Sequence, residues 1–551
     1  MEKRLLLAAA LSLGVLALWE FLQPKPQKPP AGRPVPATSV AAVTSPGGPT
    51  AVPASAEVLT AAAPAHTEPM PAPVAGSAEE RPTLENDVAR AVFSNRGAVL
   101  TSLFLLRHTD DQKKPLDLIR QMPPPAQKPL AVTFPGNAEL TNRIGAALFA
   151  VEREGDRAVR FSYADDTVAV TKDVRFQNGY LFDVKVNVVG PPYVLTAGTG
   201  LRNPGAEEQA SRYIQPATAI AMTGNGLTRA RAEKLEKPLE WPIGDKGFAG
   251  LEDNYFLEVL LPRQPATAVA SPVALKDAAG KPAPTVAVGL TGKGELSARA
   301  YFGPKDVEIL EGSKLGLEKT VDFGWYGILA RPLLWLLKRT YGWVGNYGVA
   351  ILLVTLAIRI LLFPLMHKSY SSMKKMQKLQ PKMNAIRDKY KKAKSDAAQR
   401  QKMNEELMKL YQAEGYNPMS GCFPILLQLP ILVAFYNVLS RSIELRHAPF
   451  VLWIHDLSAV DRTYVLLILM TVTMYVQQAM TPTTADPMQK KIFMAMPLLW
   501  GFFLKDMPSG LVLYWLFSNV LTILQQTLIQ KLGNKDEPPM EKPAKLKRAR
   551  A

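Results

Sequence analysis

Between Trp343 and Leu365 the chain reads WVGNYGVAILLVTLAIRILLFPL, an apolar run long enough to cross a bilayer and carrying one charge, Arg359. A span needs about 20 apolar residues, and a charge at mid-depth costs roughly 2.5 to 3.5 kcal/mol even on lenient insertion scales. A chain with this segment has to lodge it in a membrane and give the arginine polar company there. Thr355 lies one helical turn from Arg359 on the same face. The plainer alternative is that Arg359 snorkels to the headgroups while nearby amides bond neighbouring helices.

The rest of the chain divides around that run. Apolar stretches crowd the region after Trp325, whereas 81–320 alternates short apolar segments with Gly, Pro and polar turns. VARAVFSNRGAVLTSLFLL, AVRFSYADDTVAVTKDVRF and GYLFDVKVNVVG show period-two alternation, which predicts an all-β sandwich domain over 81–320. It contains no motif that points to chemistry, and Asp165-Asp166 reads as a turn. The single cysteine, Cys422, rules out an intramolecular disulfide and reads as a small apolar residue.

The N-terminal 1–22 has a charged start and an apolar centre without a small-residue cleavage site, so it reads as an uncleaved transmembrane anchor, with a cleaved signal as the alternative. Residues 23–80, rich in Pro and Ala, read as a disordered linker. After the β domain, 321–342 is aromatic and interrupted by Arg331-Pro332, which predicts an interfacial amphipathic helix. Transmembrane helices are then expected at 343–365, 421–440, 462–480, 491–507 and 510–530, making six with the anchor. A cytoplasmic helical hairpin fills 366–420, seamed by Met373, Met376, Met383, Ile386, Tyr390, Met403, Leu407 and Leu410, with its turn near Ala393 to Asp396. An outer loop covers 441–461, an inner loop 481–490, and a basic tail 531–551.

Charge sets the expected orientation. Of a net +17, 366–420 contributes 13 Lys/Arg against 5 Asp/Glu, and 531–551 contributes 7 against 3. Basic segments beside spans mark the cytoplasmic side and attract anionic lipid or a ribosome, which puts both termini inside and the β domain outside. Two spans are short: Tyr464 to Val476 and Ile492 to Leu504 each offer about 20 Å of helix against a core of about 30 Å. Snorkelling ends and a locally thinned bilayer would accommodate them.

Polar residues gather at one depth. Arg359 and Gln428 fall toward the inner half of their spans, Ser518 and Asn519 near mid-depth, and Gln477, Gln478, Gln525 and Gln526 at inner ends, while the outer halves are apolar. That predicts a cavity open to the cytoplasm and closed outward, since a pore would be polar at every depth.

These residues lie in text that closely resembles the YidC family of membrane protein insertases. The shared stretches are the Arg359 span ending in FPL, SYSSMKKMQKLQPKMNAIRDKY, NPMSGCFPILLQLPI, IELRHAPFVLWIHDLS, TPTTADPMQKKIFMAMP and PSGLVLYWLFSNVLTILQQ, in order over roughly 325–530. The resemblance implies an inner-membrane insertase without enzymatic activity or cofactor, with a periplasmic β domain, working alone or beside the Sec translocon. It implies that nascent membrane proteins are the clients and that the ribosome is met by the hairpin and tail; DNA is not an expected partner. It maps the family's groove arginine onto Arg359, its groove threonine onto Thr355 and its client-contacting aromatic onto Tyr514. Gln428 and Ser518 join this set by depth, and Trp515 by adjacency to Tyr514. Two rivals stand beside it: a small-solute transporter or channel using Arg359 as an anion site, and a sugar-binding envelope protein whose spans are anchors.

Overall fold

The computed structural model describes residues 70–203, 205, 217–275, 283–390, 397–414, 423–481 and 487–533. The expected anchor over 1–22, most of the linker, Cys422 and most of the basic tail lie outside the described residues, as do the side chains of Met373 and Met376.

Two antiparallel strands run the length of the β domain, Leu181–Thr199 and Thr285–Pro304, paired from Tyr301 opposite Leu181 to Ala287 opposite Thr199. Alternation explains the first of them: Phe182, Val184, Val186 and Val188 are buried and Lys185 is exposed. The register slips between Gly292 and Gly294, where a Cβ on Gly292 would lie 2.6 Å from Tyr193 Cζ. The Tyr193 hydroxyl fills that gap and donates to Gly294 O at 3.1 Å, so the bulge is held as well as permitted. These strands centre a 12-stranded sheet, and Thr83–Glu85, Ala89–Ser94, Val99–Thr109 and Pro115–Asp117 form a second, four-stranded one.

The sheets close on one apolar core, with Phe93 of the smaller and Phe161 of the larger 6.1 Å apart between ring centroids. Every residue of the strand Phe256–Pro262 is buried. Lys172, fully buried, spans the two layers: its ammonium donates to Gly97 O, Ala98 O and Leu130 O at 2.7–3.1 Å. Two further buried cations are paired with carboxylates. Arg202 meets Asp253 at 2.8 Å, and Lys305 meets Glu252 at 2.8 Å.

The helices, in chain order, are α1 (Ala138–Ala146), α2 (Val307–Ser313), α3 (Gly327–Val344), α4 (Tyr347–Lys389), α5 (Ala397–Ala413), α6 (Phe423–Arg441), α7 (Val465–Met480), α8 (Pro487–Leu504) and α9 (Ser509–Gly533). α3 buries Ala330, Leu333, Leu334 and Leu337 against α4 and α6, and leaves Ile328, Trp335 and Trp343 exposed, as is Trp325 just before it. α4 starts at an Asn346 cap, whose Oδ1 accepts from Val349 N at 3.1 Å. It passes Pro364 and Pro381 without ending, so the apolar run to Leu365 and the first arm of the hairpin are one helix. At 1.5 Å per residue its 43 residues extend about 65 Å, twice a bilayer core. α5 returns along its far end: Lys382 pairs with Glu414 at 2.7 Å and Lys389 with Glu406 at 2.6 Å, an antiparallel order, over Leu379, Met383 and Leu407.

Among the described residues two helical segments are long and apolar enough to cross a membrane, Tyr347–Ser371 and Ser509–Ile529, and Val465–Met480 and Lys491–Leu504 are apolar but shorter. α9 is the centre of the bundle, packed on α7, α4 and α6. The outward faces of α4, α7, α8 and α9 carry exposed Ile360, Leu361, Ile468, Val472, Leu498, Phe502 and Leu524. Before Trp325, only Met70, Val74, Leu106 and Ile309 among the described large apolar residues are exposed.

The two halves touch through polar contacts at one end of the bundle. Lys338 of α3 reaches Glu308 at 2.9 Å and Glu444 at 3.0 Å. Burial works against its ammonium, but Glu444, Glu308 and Asp306 outweigh it and hold the pKa above the ordinary lysine value. Asn254 donates to Ser440 O at 3.0 Å, and Arg446 donates to Thr109 O at 2.8 Å while lying over the Phe256 ring.

Candidate functional site: a polar hub on the last helix

α9 carries an unusual face for a helix in an apolar bundle. Ser518, Asn519, Thr522, Gln525 and Gln526 recur at three- and four-residue spacing and all are buried. Buried polar groups need partners, and Thr522 finds one within the helix, donating to Ser518 O at 2.8 Å, while Ser518, Asn519 and Gln526 find theirs on or beside other helices. Asn519 donates to Thr473 Oγ1 of α7 at 3.3 Å, and Gln526 donates to Thr481 Oγ1, just past the end of α7, at 3.3 Å.

Ser518 is where three helices meet. Arg359 of α4 donates through Nη2 to Ser518 O at 3.3 Å and to Ser518 Oγ. Gln428 of α6 donates through Nε2 to Ser518 Oγ at 3.2 Å and to the Tyr514 hydroxyl at 2.6 Å. Tyr514, one turn before Ser518, is buried with its ring stacked 4.0 Å from Phe435 of α6. Arg359, Gln428, Ser518 and Tyr514, drawn from three helices, are thus one connected cluster.

Thr355 and Trp515 stand outside that network. Thr355 is buried a turn away on α4, and its hydroxyl donates to Ile351 O at 2.6 Å, satisfied within its own helix. Trp515, next to Tyr514 but about 100° round the helix, lies 6.3 Å from Trp500 of α8. Phe435, Thr473 and Thr481 were missed by sequence reasoning. A threonine reads as an ordinary span residue until its neighbour is known, and Phe435 is one aromatic among many.

The cluster is electrostatically incomplete. Among the described residues no carboxylate lies within ion-pair distance of Arg359, which is half-buried. A guanidinium has five donors in a planar fork suited to carboxylates and carbonyl oxygens, and only Nη2 is hydrogen-bonded to described residues here. The interior also differs along its length. From Ser518 toward Gln526 it is polar. In the other direction it is filled by Leu511, Val512, Leu513, Val433, Ala434, Val438, Ala350, Ile351 and Val354. Such an arrangement can hold a polar or anionic segment at one side of an apolar seal. Among the described residues no cluster of His, Cys, Asp or Glu suits a metal.

Comparison with known proteins assigns the lineage. The family described as "60Kd inner membrane protein" matches residues 339–537, and that described as "YidC periplasmic domain" matches 81–336. The chain is 36% identical to the membrane protein insertase YidC of Geobacter metallireducens over 560 residues, covering 96% of this chain and 98% of the relative. It is 34% identical to that of Syntrophus aciditrophicus, covering 96% and 100%. A crystal structure of an active YidC insertase with its first transmembrane domain resolved is similar at 20% identity and a TM-score of 0.37, covering 83% of this chain and 94% of that one. With full-length relatives above 30% identity, the chain belongs to the YidC family of inner membrane proteins, with a periplasmic β-sandwich domain ahead of a helical membrane region.

Proposed function

We propose that the chain inserts nascent integral membrane proteins into the inner membrane, and that the cluster around Arg359 is where a client's polar part is held. Its named relatives are membrane protein insertases, and the family is not a family of enzymes. The observation that carries the site is the half-buried Arg359, bonded to Ser518 and with no carboxylate near it among the described residues.

In this reading the segments at 1–22, 343–365, 421–440, 462–480, 491–507 and 510–530 are six crossings, with both termini cytoplasmic. The hairpin at 366–420 and the tail at 531–551 receive the ribosome-bound chain and anionic lipid, alone or beside the Sec translocon. Arg359 and Gln428 offer donors to the client's polar tail, Thr355 and Tyr514 line the path, and Ser518 fixes the guanidinium. The apolar part slides into lipid between α4 and α9, driven by about 25 cal/mol per Å² of apolar surface removed from water and, for acidic tails, by the membrane potential. The apolar packing beyond Ser518 keeps this a one-sided groove, which disfavours a solute channel.

The test is reconstitution. Liposomes containing only this protein should take up a single-span client with a short polar tail into a protease-protected form, at a rate well above protein-free liposomes. Equal protection in both would overturn the reading.

A further inference from the structure

The loop between α6 and α7 contains an uninterrupted apolar segment, Ala448 to Ile454 (APFVLWI), in a part of the chain that a soluble loop would make polar. It forms a tight turn: Ile454 N donates to Val451 O at 3.1 Å and Phe450 N donates to Ile454 O at 3.0 Å. Leu452 stands at the tip with φ +56°, in the left-handed region that glycine, asparagine and aspartate occupy far more readily. Leu452 is also 79% exposed and its neighbour Val451 47% exposed. A bulky apolar residue in a disfavoured conformation, contributing nothing to the core, points to a role outside the fold.

The position of the turn says what meets it. Phe450 lies directly against Gly348 in the first turn of α4, where a Cβ would come 2.0 Å from Phe450 Cδ2. Asn346, the cap of α4, donates to Phe450 O at 3.0 Å. The tip is therefore tied to the level at which the longest apolar helix begins. Trp343 and Val344, exposed at the end of α3, come just before that cap in the chain. Asp461, later in the same loop, accepts from Leu466 N at 2.9 Å, which ties the loop to the start of α7 as well.

We propose that Val451 and Leu452 form a wedge inserted into the outer leaflet of the membrane, with lipid acyl chains as the occupant of this surface. The occupant follows from continuity: the exposed tip extends the lipid-facing surface of α4 and α3 at the ends of those helices. The charged groups of the same loop are engaged by protein instead, Arg446 with Thr109 O of the β domain and Glu444 with Lys338 of α3. The wedge fixes the loop at the interface beside the short helices α7 and α8, where displaced acyl chains favour a thinner bilayer. This inference rests on the orientation proposed above, with the loop on the periplasmic side, but not on insertion activity.

The experiment uses the full chain with Cys422→Ser, reconstituted in phosphatidylethanolamine and phosphatidylglycerol vesicles without client. An environment-sensitive NBD fluorophore is attached to Leu452→Cys, to Val451→Cys in a parallel sample, and to Asp156→Cys in an exposed turn of the β domain. The tip labels should emit blue-shifted light, be quenched by lipids carrying a nitroxide near the headgroup, and resist aqueous iodide; the Asp156→Cys label should show the reverse. Iodide quenching of both tip labels equal to that at Asp156→Cys would overturn the wedge. Protection from both lipid nitroxide and iodide would also overturn it, by showing that protein, such as a second copy of this chain, covers the turn.

Discussion

The β domain and the helical bundle differ in how fully they satisfy their buried cations. In the β domain Arg202 meets Asp253, Lys305 meets Glu252, and Lys172 is enclosed by three carbonyl oxygens, so the protein itself supplies a counter-charge or three acceptors to each of these buried cations. In the bundle Arg359 is bonded to a serine and no carboxylate of the described chain approaches it. A closed network holds a fold together, whereas an open one is available to something that arrives. Apolar surface inverts in the same way: the β domain hides nearly all of it, and the bundle turns Ile360, Leu361, Ile468, Val472 and Phe502 outward, as lipid requires.

The largest expected effect breaks the open network. Arg359→Ala removes charge-assisted contacts to the client, each worth about 1.5 to 3 kcal/mol, so client insertion in proteoliposomes should fall roughly ten- to a hundred-fold. Arg359→Lys, which keeps the charge but not the fork, should lie between the two. Equal activity of all three proteins would remove the arginine from the mechanism.

Breaking a closed pair should instead cost stability. Lys305→Ala leaves Glu252 buried with only Arg229 beside it, at 2.5 Å, and an uncompensated buried charge costs about 3 to 5 kcal/mol. Denaturant unfolding followed on the β domain should show a loss at the low end of that range. Adding Glu252→Gln should recover part of it, while client insertion per folded molecule stays unchanged.

A smaller effect links the halves through pH. Burial, and then the Arg446 and Arg107 guanidinium groups, lower the pKa of His108 to about 4, against the opposing pull of Asp306. Because the folded value lies below the ordinary 6.5, the unfolded chain binds the proton first as pH falls. The contribution of His108 is therefore complete above pH 6.5 and is lost on descending toward pH 4. About 3 kcal/mol should go in that window, measured as thermal stability against pH, and His108→Phe should flatten the slope. The smallest effect lies within the bundle. Asn519→Ala removes the contact to Thr473, and interhelical bonds in membranes average only about 0.6 kcal/mol, so thermal unfolding in detergent should barely move.

Much of this was legible beforehand because the relevant signals are periodic. Alternation along 179–190 marked part of the strand Leu181–Thr199, and depth grouped Arg359, Gln428 and Ser518, which are joined by hydrogen bonds. Helix ends were less legible: Pro364 looked like the close of a span, yet α4 continues to Lys389, because a proline removes one backbone bond without preventing the next turn. Trp515 was grouped with Tyr514 by adjacency, but adjacent helical residues face different neighbours, and it lies against Trp500. The contacts between the β domain and the loop after α6, such as Arg446 to Thr109, join residues too far apart in the chain for any local pattern to reveal.

The central claim, that the cluster on α4, α6 and α9 receives the client, is tested most directly by photo-crosslinking. A ribosome-stalled membrane protein is presented to the full chain carrying a photoreactive residue at Thr355, Gln428 or Tyr514, with probes at the outward-facing Ile360 and Leu361 as controls. The account predicts adducts to the client's polar segment at the three cluster positions and weak or no adducts to that segment at the controls. Adducts at Ile360 and Leu361 alone, with none at Thr355, Gln428 or Tyr514, would contradict it.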